Sequence, residues 1–101
     1  MKAKQFSIEI SDNAEIDFNK SYQYYFEDSL KVADAFFRRI DSSLGRIKHN
    51  PFSFPTAHKN IRKYVIKKFP FVIYYQVEDS IIKVIAIFHT SRNPEIWNER
   101  T

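Results

Sequence analysis

The stretch that decides the fold is Ile61–His89, which reads IRKYVIKKFPFVIYYQVEDSIIKVIAIFH. It contains three runs rich in β-branched and aromatic residues, at Ile61–Ile66, Phe71–Val77 and Ile81–Phe88. Pro70 separates the first two runs, and Glu78-Asp79-Ser80 separates the last two. Residues of these types favour strands, whereas proline and Asp-Ser boundaries favour turns. The pattern therefore predicts three consecutive antiparallel strands joined by tight turns.

The third run predicts that the sheet is covered on both faces. An antiparallel strand with one wet face alternates apolar and polar residues, but 81–88 is apolar at every position except Lys83. Simple alternation puts Val84, Ala86 and Phe88 on one face, and Lys83, Ile85, Ile87 and His89 on the other. With only the N-terminal half available as cover, the second face, including Val72 and Tyr74 of the neighbouring strand, is expected to be open.

The residues before this stretch predict a strand and a helical hairpin. Apolar and polar residues alternate over 6–10, as in a half-buried strand. Asp12 and Glu15 form a capping-box-like pair that starts one helix, and Ser29 starts a second. Asn50-Pro51 ends the second helix, because the residue before a proline is pushed out of the α region.

These elements predict an α+β fold of order β-α-α-β-β-β, in which a single antiparallel sheet carries the helical hairpin on one face. A chain of 101 residues with 44% hydrophobic content has enough apolar surface for one core, so residues 1–101 are expected to form a single domain. Gly45 falls inside the second predicted helix, where glycine costs about 1 kcal/mol relative to alanine. The expected core includes Phe18, Tyr22, Phe36, Ile40, Leu44, Val84, Ala86 and Phe88.

Composition excludes several classes of site. The absence of cysteine excludes disulfides and thiolate chemistry, and three scattered histidines make a poor metal set, so no cofactor or metal is expected. No signal-peptide-like or membrane-spanning apolar run is present, so we expect a cytoplasmic protein without a membrane partner.

Charge is unevenly distributed along the chain. The net charge is +4, yet residues 42–77 contain no Asp or Glu. We call the seven cations of this segment the basic block: Arg46, Lys48, Lys59, Arg62, Lys63, Lys67 and Lys68. The remaining nine basic residues face all twelve acidic residues, a net charge of −3. Such a block favours a surface for a polyanion or an acidic partner.

The order of the local motifs is similar to that of one known superfamily. The motifs are Ala33-x-x-Phe36-x-x-x-Ile40, Asn50-Pro51, Arg62, Phe69-Pro70-Phe71, Tyr74-Tyr75, His89, Arg92, Pro94 and Trp97. Over nearly the whole chain this order resembles the RelE/ParE superfamily, the toxins of type II toxin–antitoxin systems that include the plasmid stabilisation proteins. The Phe-Pro-Phe, Tyr-Tyr and His89-x-x-Arg92 signatures look more like the ParE branch.

The resemblance implies a growth-inhibiting toxin that is neutralised by a cognate antitoxin protein. Antitoxins of this superfamily wrap an extended or helical segment around the toxin, and that segment is commonly acidic. The open sheet face and the basic block would suit such a partner. The expected partner-binding residues are Val72, Tyr74, Lys83, Ile85 and Ile87, with Arg62, Lys63 and Lys67.

The superfamily divides by target, and the resemblance leaves both branches open. ParE-like members act on DNA gyrase, whereas RelE-like members are metal-independent ribonucleases that cut mRNA on the ribosome. Cleaving RNA without a metal needs an acid, a base and cations for the phosphate. His89 is the candidate acid or base, Arg62, Lys68 and Arg92 are candidate phosphate ligands, and Tyr74 is a candidate auxiliary donor.

The tail Trp97–Thr101 lacks the basic and aromatic pattern that RelE-like nucleases carry near their end. We therefore favour a ParE-like toxin that acts on gyrase and is not a nuclease. A ribosome-dependent mRNA endoribonuclease is the first alternative. A small nucleic-acid-binding module without toxic activity, which the basic block alone would suit, is the second.

Overall fold

The computed structural model describes residues 5–92 and Arg100. The element order is β1 Ser7–Ile10, α1 Asp12–Asp28, α2 Leu30–His49, β2 Thr56–His58, β3 Ile61–Val65, β4 Phe71–Glu78 and β5 Ile81–His89. The predicted α+β fold is confirmed, and β2 is an additional short strand between the second helix and the stretch that begins at Ile61. Pro94 and Trp97 of the motif set lie outside the described residues. None of the described helices is long and apolar enough to cross a membrane.

The five strands form one sheet in the order β1-β5-β4-β3-β2. Strands β3 to β5 pair antiparallel, as predicted, and β2 also pairs antiparallel with β3. Strand β1 instead pairs parallel with β5, so the sheet is mixed. A parallel pair requires a long crossover connection, and here the helical hairpin and three strands lie between the two partners.

Two serines set the ends of the helices. The side chain of Ser11, and not that of Asp12, caps α1 by accepting the Ala14 N–H at 3.1 Å. The side chain of Ser29 caps α2 by accepting the Val32 N–H at 3.3 Å. Ser29 also ends α1, since its own N–H donates to the carbonyl of Tyr25. A single extended residue therefore separates the helices, and the chain reverses into a hairpin.

Aromatic rings dominate the core between the hairpin and the sheet. Phe36 is fully buried, and its ring lies 5.0–5.6 Å from those of Phe18, Tyr25, Phe69 and Phe71. Burial is confirmed for the expected core residues Phe36, Ile40, Val84, Ala86 and Phe88. The expected core residues Phe18, Tyr22 and Leu44 are only partly buried.

A β-bulge in β5 changes which residues share a face. Tyr74 pairs with Ala86 and Tyr75 pairs with Val84, which leaves Ile85 as the extra residue. Beyond the bulge, Ile87 packs in the helix-side core and is 3% exposed, whereas Ile85 packs with Ala86 and Phe88 on the opposite face. The predicted alternation is therefore wrong after Val84, because it assumed an unbroken ladder.

The expectation that the second face is open is also wrong. Its residues Val72, Tyr74 and Ile85 are each less than a tenth exposed. Over the ring of Phe88 lie two guanidinium groups, at 4.2 Å for Arg92 and 4.8 Å for Arg100. Guanidinium planes stack well on aromatic rings, so these two side chains help to cover this face.

The buried carboxylate of Asp17 joins α1, β5 and the end of the chain. It accepts the backbone N–H of Ile87 at 3.1 Å and donor groups of Arg100 at 2.7 and 3.2 Å. Arg92 contacts the same carboxylate at 3.4 Å. Arg100 also donates to the carbonyl of Ile85 at 3.1 Å. The Asp17–Arg100 ion pair therefore provides hydrogen-bond partners for two backbone groups of β5, the N–H of Ile87 and the carbonyl of Ile85.

Tyr75 joins the sheet to the end of α2. Its side chain is fully buried, and its hydroxyl donates to the carbonyl of Pro51 at 2.6 Å. Burial raises the pKa of Tyr75 to about 12, which the nearby Arg62 partly counteracts. The Asn50-Pro51 helix end is thus fixed against the middle of β4.

Replacing Asp17 by Asn should destabilise the fold by on the order of 3–5 kcal/mol, because it removes the countercharge of Arg100, whose side chain is only 13% exposed. The free energy of unfolding is measured by urea titration. Asp34→Asn is the matched control, since Asp34 is an exposed helical carboxylate that accepts the Tyr22 hydroxyl. A loss for Asp17→Asn no larger than for this control would contradict the role of the ion pair.

Gly45→Ala should stabilise the protein by about 0.5–1 kcal/mol, because alanine is the better helix former. Close packing does not require glycine at this position, since a Cβ added at Gly45 meets nothing within 4 Å. Thermal unfolding of the two proteins checks this. A lower melting temperature for Gly45→Ala would show that the position needs glycine for another reason.

Candidate functional site

His89, the candidate acid or base, lies at the end of β5 with an exposed but oriented ring. The backbone N–H of Ser91 donates to Nδ1 at 3.1 Å, and the hydroxyl of Ser91 lies 2.8 Å from the same nitrogen. The ring also packs edge-on against Phe71 at 5.3 Å. Because Nδ1 is the acceptor in this arrangement, the proton of the neutral ring is on Nε2.

Lys68 and Arg92 belong to the same end of the sheet as His89. Lys68 lies in the β3–β4 connection with a positive φ of 73°. The hydrogen bond from Thr90 N–H to the Pro70 carbonyl, 2.8 Å long, holds this connection beside the end of β5. The guanidinium of Arg92 is directed to Asp17 and the Phe88 ring, and about two fifths of the side chain is exposed.

Arg62 is placed apart from these residues and has structural partners. Its guanidinium donates to the carbonyls of Phe52 and Phe54 at 3.2 and 2.7 Å, and it lies over the Phe52 ring. Arg62 pairs with Tyr75 on β4, whereas His89 pairs with Phe71, four residues earlier on that strand. At about 3.3 Å per residue, the two rows are about 13 Å apart along the strand.

Tyr74, the candidate auxiliary donor, is buried on the face opposite the helices. Its ring packs against Phe88 at 5.8 Å, and it is 7% exposed. Burial raises the pKa of Tyr74. The predicted partner-binding residues Val72 and Ile85 lie on the same face, whereas Ile87 does not.

The predicted partner-binding cations differ in their exposure and in whether they form an ion pair. Lys83 forms an ion pair with Glu78, and this contact raises the pKa of Lys83 and lowers that of Glu78. Lys67 is exposed in the β3–β4 connection, and Lys63 is partly buried on β3. The rest of the basic block follows the end of α2 and the β2–β3 hairpin, where Lys59 takes a positive φ.

A cleft of about 450 Å³ beside His89 includes residues that the sequence did not single out. It lies between α1 and the adjoining ends of β4 and β5, and its lining residues are Lys20, Ser21, Tyr24, Tyr25, Phe71 and His89. No local motif links the α1 residues to His89. The only sequence signal is the spacing of Lys20 and Tyr24, which puts them one turn apart on one side of α1.

A second, apolar groove of about 250 Å³ lies between α1 and α2, beside the end of β1. Ile10 and Phe37 on its wall are about half exposed, and Ile87 lies at its base. Two carboxylates, those of Glu15 and Asp41, line the same groove. This surface was not predicted either.

Metal ligation has no assembled site in the part of the chain that is described. Over 5–92 and Arg100, no three His, Asp or Glu side chains are grouped closely enough to hold a metal ion.

Comparison with known proteins gives a family match and a structural match. The family described as "ParE toxin of type II toxin-antitoxin system, parDE" matches residues 8–94. A solved structure from P. aeruginosa, titled "Chromosomal ParDE TA system", superposes with a TM-score of 0.74 at 15% identity. The superposition covers 86% of this chain and 98% of that one, so the two share a fold. Among curated proteins, none matches significantly. Since the family match spans most of the sequence, the chain belongs to the ParE toxin family of type II toxin–antitoxin systems.

Proposed function

We propose that this ParE family member inhibits DNA gyrase and is held inactive by a cognate antitoxin. The observation that carries the proposal is the family match over residues 8–94. The gyrase target follows from the resemblance of the motifs around Phe69-Pro70-Phe71 and His89-x-x-Arg92 to the ParE branch.

The geometry of the candidate nuclease residues favours the gyrase target over mRNA cleavage. Metal-independent cleavage requires an acid, a base and phosphate-binding cations around one scissile bond. In this chain the donors of Arg62 serve two backbone carbonyls, and Tyr74 is buried on the face opposite the helices. Only His89, Lys68 and Arg92 share one end of the sheet.

The purified protein should abolish supercoiling of relaxed plasmid by gyrase and ATP, or should cause cleaved DNA to accumulate. The same protein should leave mRNA intact in a ribosome-containing translation system. Agarose gels of the plasmid and primer extension on the mRNA measure the two outcomes. Unfolded toxin at equal concentration is the control for nonspecific inhibition.

If the protein is instead a ribonuclease, mRNA cleavage should depend on His89. Losing a general acid or base costs roughly 10²–10⁴-fold in rate. Codon-positioned cuts by the wild-type protein that disappear with His89→Gln, while gyrase activity is unaffected by either protein, would overturn the gyrase proposal.

We expect the antitoxin to bind at the basic block and the apolar groove. The sheet face first expected to bind it is already buried, and Ile87 belongs to the core. Acidic residues of the antitoxin would pair with free cations such as Lys67. An apolar side chain, next to a basic residue that matches Glu15 and Asp41, would occupy the groove.

Phe37→Asp should weaken antitoxin binding by on the order of 30-fold or more, the loss typical of an interface hot spot. Val32→Asp is the matched control, since Val32 is another exposed apolar residue of α2, outside the groove. The partner is the small protein encoded beside this toxin, and calorimetry measures affinity at low and high salt. Binding that resists both salt and Phe37→Asp would place the antitoxin elsewhere.

A further inference from the structure

The cleft between α1 and the end of β5 combines an aromatic side with groups that attract an anion. We propose that it binds a nucleotide, with the base on the aromatic side and the phosphate at Lys20 and His89. Its volume of about 450 Å³ lies within the range of small-molecule sites. This inference does not depend on which target the toxin has.

The aromatic side is partly rigid and partly exposed. Phe71 is buried, and its ring contacts those of Phe36 and Tyr25 at 5.0 and 6.3 Å. Tyr24 is 72% exposed, and its ring lies edge-on to Tyr25 at 5.6 Å. A planar base can stack on such an exposed ring, and stacking tolerates every base because each has a π-face.

Two nitrogen groups supply the anion-binding side. Lys20 lies one helical turn before Tyr24, and over residues 5–92 and Arg100 its ammonium group forms no ion pair. His89 is oriented by Ser91 through Nδ1, which leaves Nε2–H as a donor for a ligand. The hydroxyl of Ser21 is a further donor on the same lining.

Among residues 5–92 and Arg100, no carboxylate lines the cleft. Its residues are lysine, serine, tyrosine, phenylalanine and histidine. By contrast, Glu15 and Asp41 line the apolar groove at the start of α1. An anionic aromatic ligand therefore matches the cleft and is repelled by the groove, and a nucleoside phosphate has both required parts.

Titration of the full-length protein with AMP, followed by NMR, tests the proposal. We expect saturable shifts of the His89 ring and of the α1 residues of the cleft. Lys20→Gln and Tyr24→Ala should each weaken AMP binding by on the order of tenfold, from the loss of a charge-assisted contact and of base stacking. Lys31→Gln, which removes an exposed cation of α2 outside both the cleft and the basic block, should leave AMP affinity unchanged.

Different probes test the contributions of the base and of the phosphate, and they distinguish free nucleotides from nucleic acid. Adenosine and inorganic phosphate should each bind more weakly than AMP. A single-stranded oligonucleotide that binds more tightly than AMP, with the same sensitivity to Tyr24→Ala, would assign the site to nucleic acid, whereas tighter AMP binding would assign it to free nucleotides.

Two results would overturn the proposal. The first is the absence of saturable shifts in the cleft at millimolar AMP. The second is an AMP affinity that Lys20→Gln and Tyr24→Ala do not change. Both substituted side chains are exposed, so the variants are expected to fold, and a proton spectrum of each confirms that they do.

Discussion

The carboxylate of Asp17 is the interaction on which the rest of the structure depends. Strand β1 ends opposite Val84, but β5 continues for five more residues, and its edge there has backbone groups to satisfy. An unsatisfied buried N–H or carbonyl costs roughly 1–3 kcal/mol. Asp17 accepts the N–H of Ile87, and Arg100 bridges that carboxylate to the carbonyl of Ile85. Through Asp17, helix α1 thereby provides the hydrogen bonds that a neighbouring strand would otherwise form with β5.

The same hydrogen bond positions the cleft. Lys20, Ser21 and Tyr24 follow Asp17 by three, four and seven residues, so they lie on neighbouring rows of the helix. His89 follows Ile87 by two residues and therefore points to the same face of β5. Once Asp17 is fixed against Ile87, the cationic and aromatic residues of α1 must lie beside His89.

Local patterns predicted four of the five described strands and the helix ends, because β-branched runs, the Ser29 cap and Asn50-Pro51 act within a few residues. The faces of β5 were not predictable beyond Val84. Where every position is apolar, alternation carries no information about which residue is extra, and the bulge at Ile85 leaves no mark in the sequence. Arg62 is hydrogen-bonded to the carbonyls of Phe52 and Phe54, and His89 lies beside α1. These contacts join residues that are separated in the sequence, so no local motif predicts them.

The contacts of Asp17 limit how an antitoxin can act on the toxin. The apolar groove and the cationic cleft lie along α1 on either side of Asp17, and Asp17 has four polar contacts that oppose rotation or sliding of the helix. Transmission between the two surfaces would need an element with two arrangements of similar free energy. A buried ion pair that also satisfies a strand edge makes any second arrangement costly, since displacement would leave a buried charge and two backbone groups unpaired. This favours neutralisation by covering the toxin's surface over neutralisation by changing its shape.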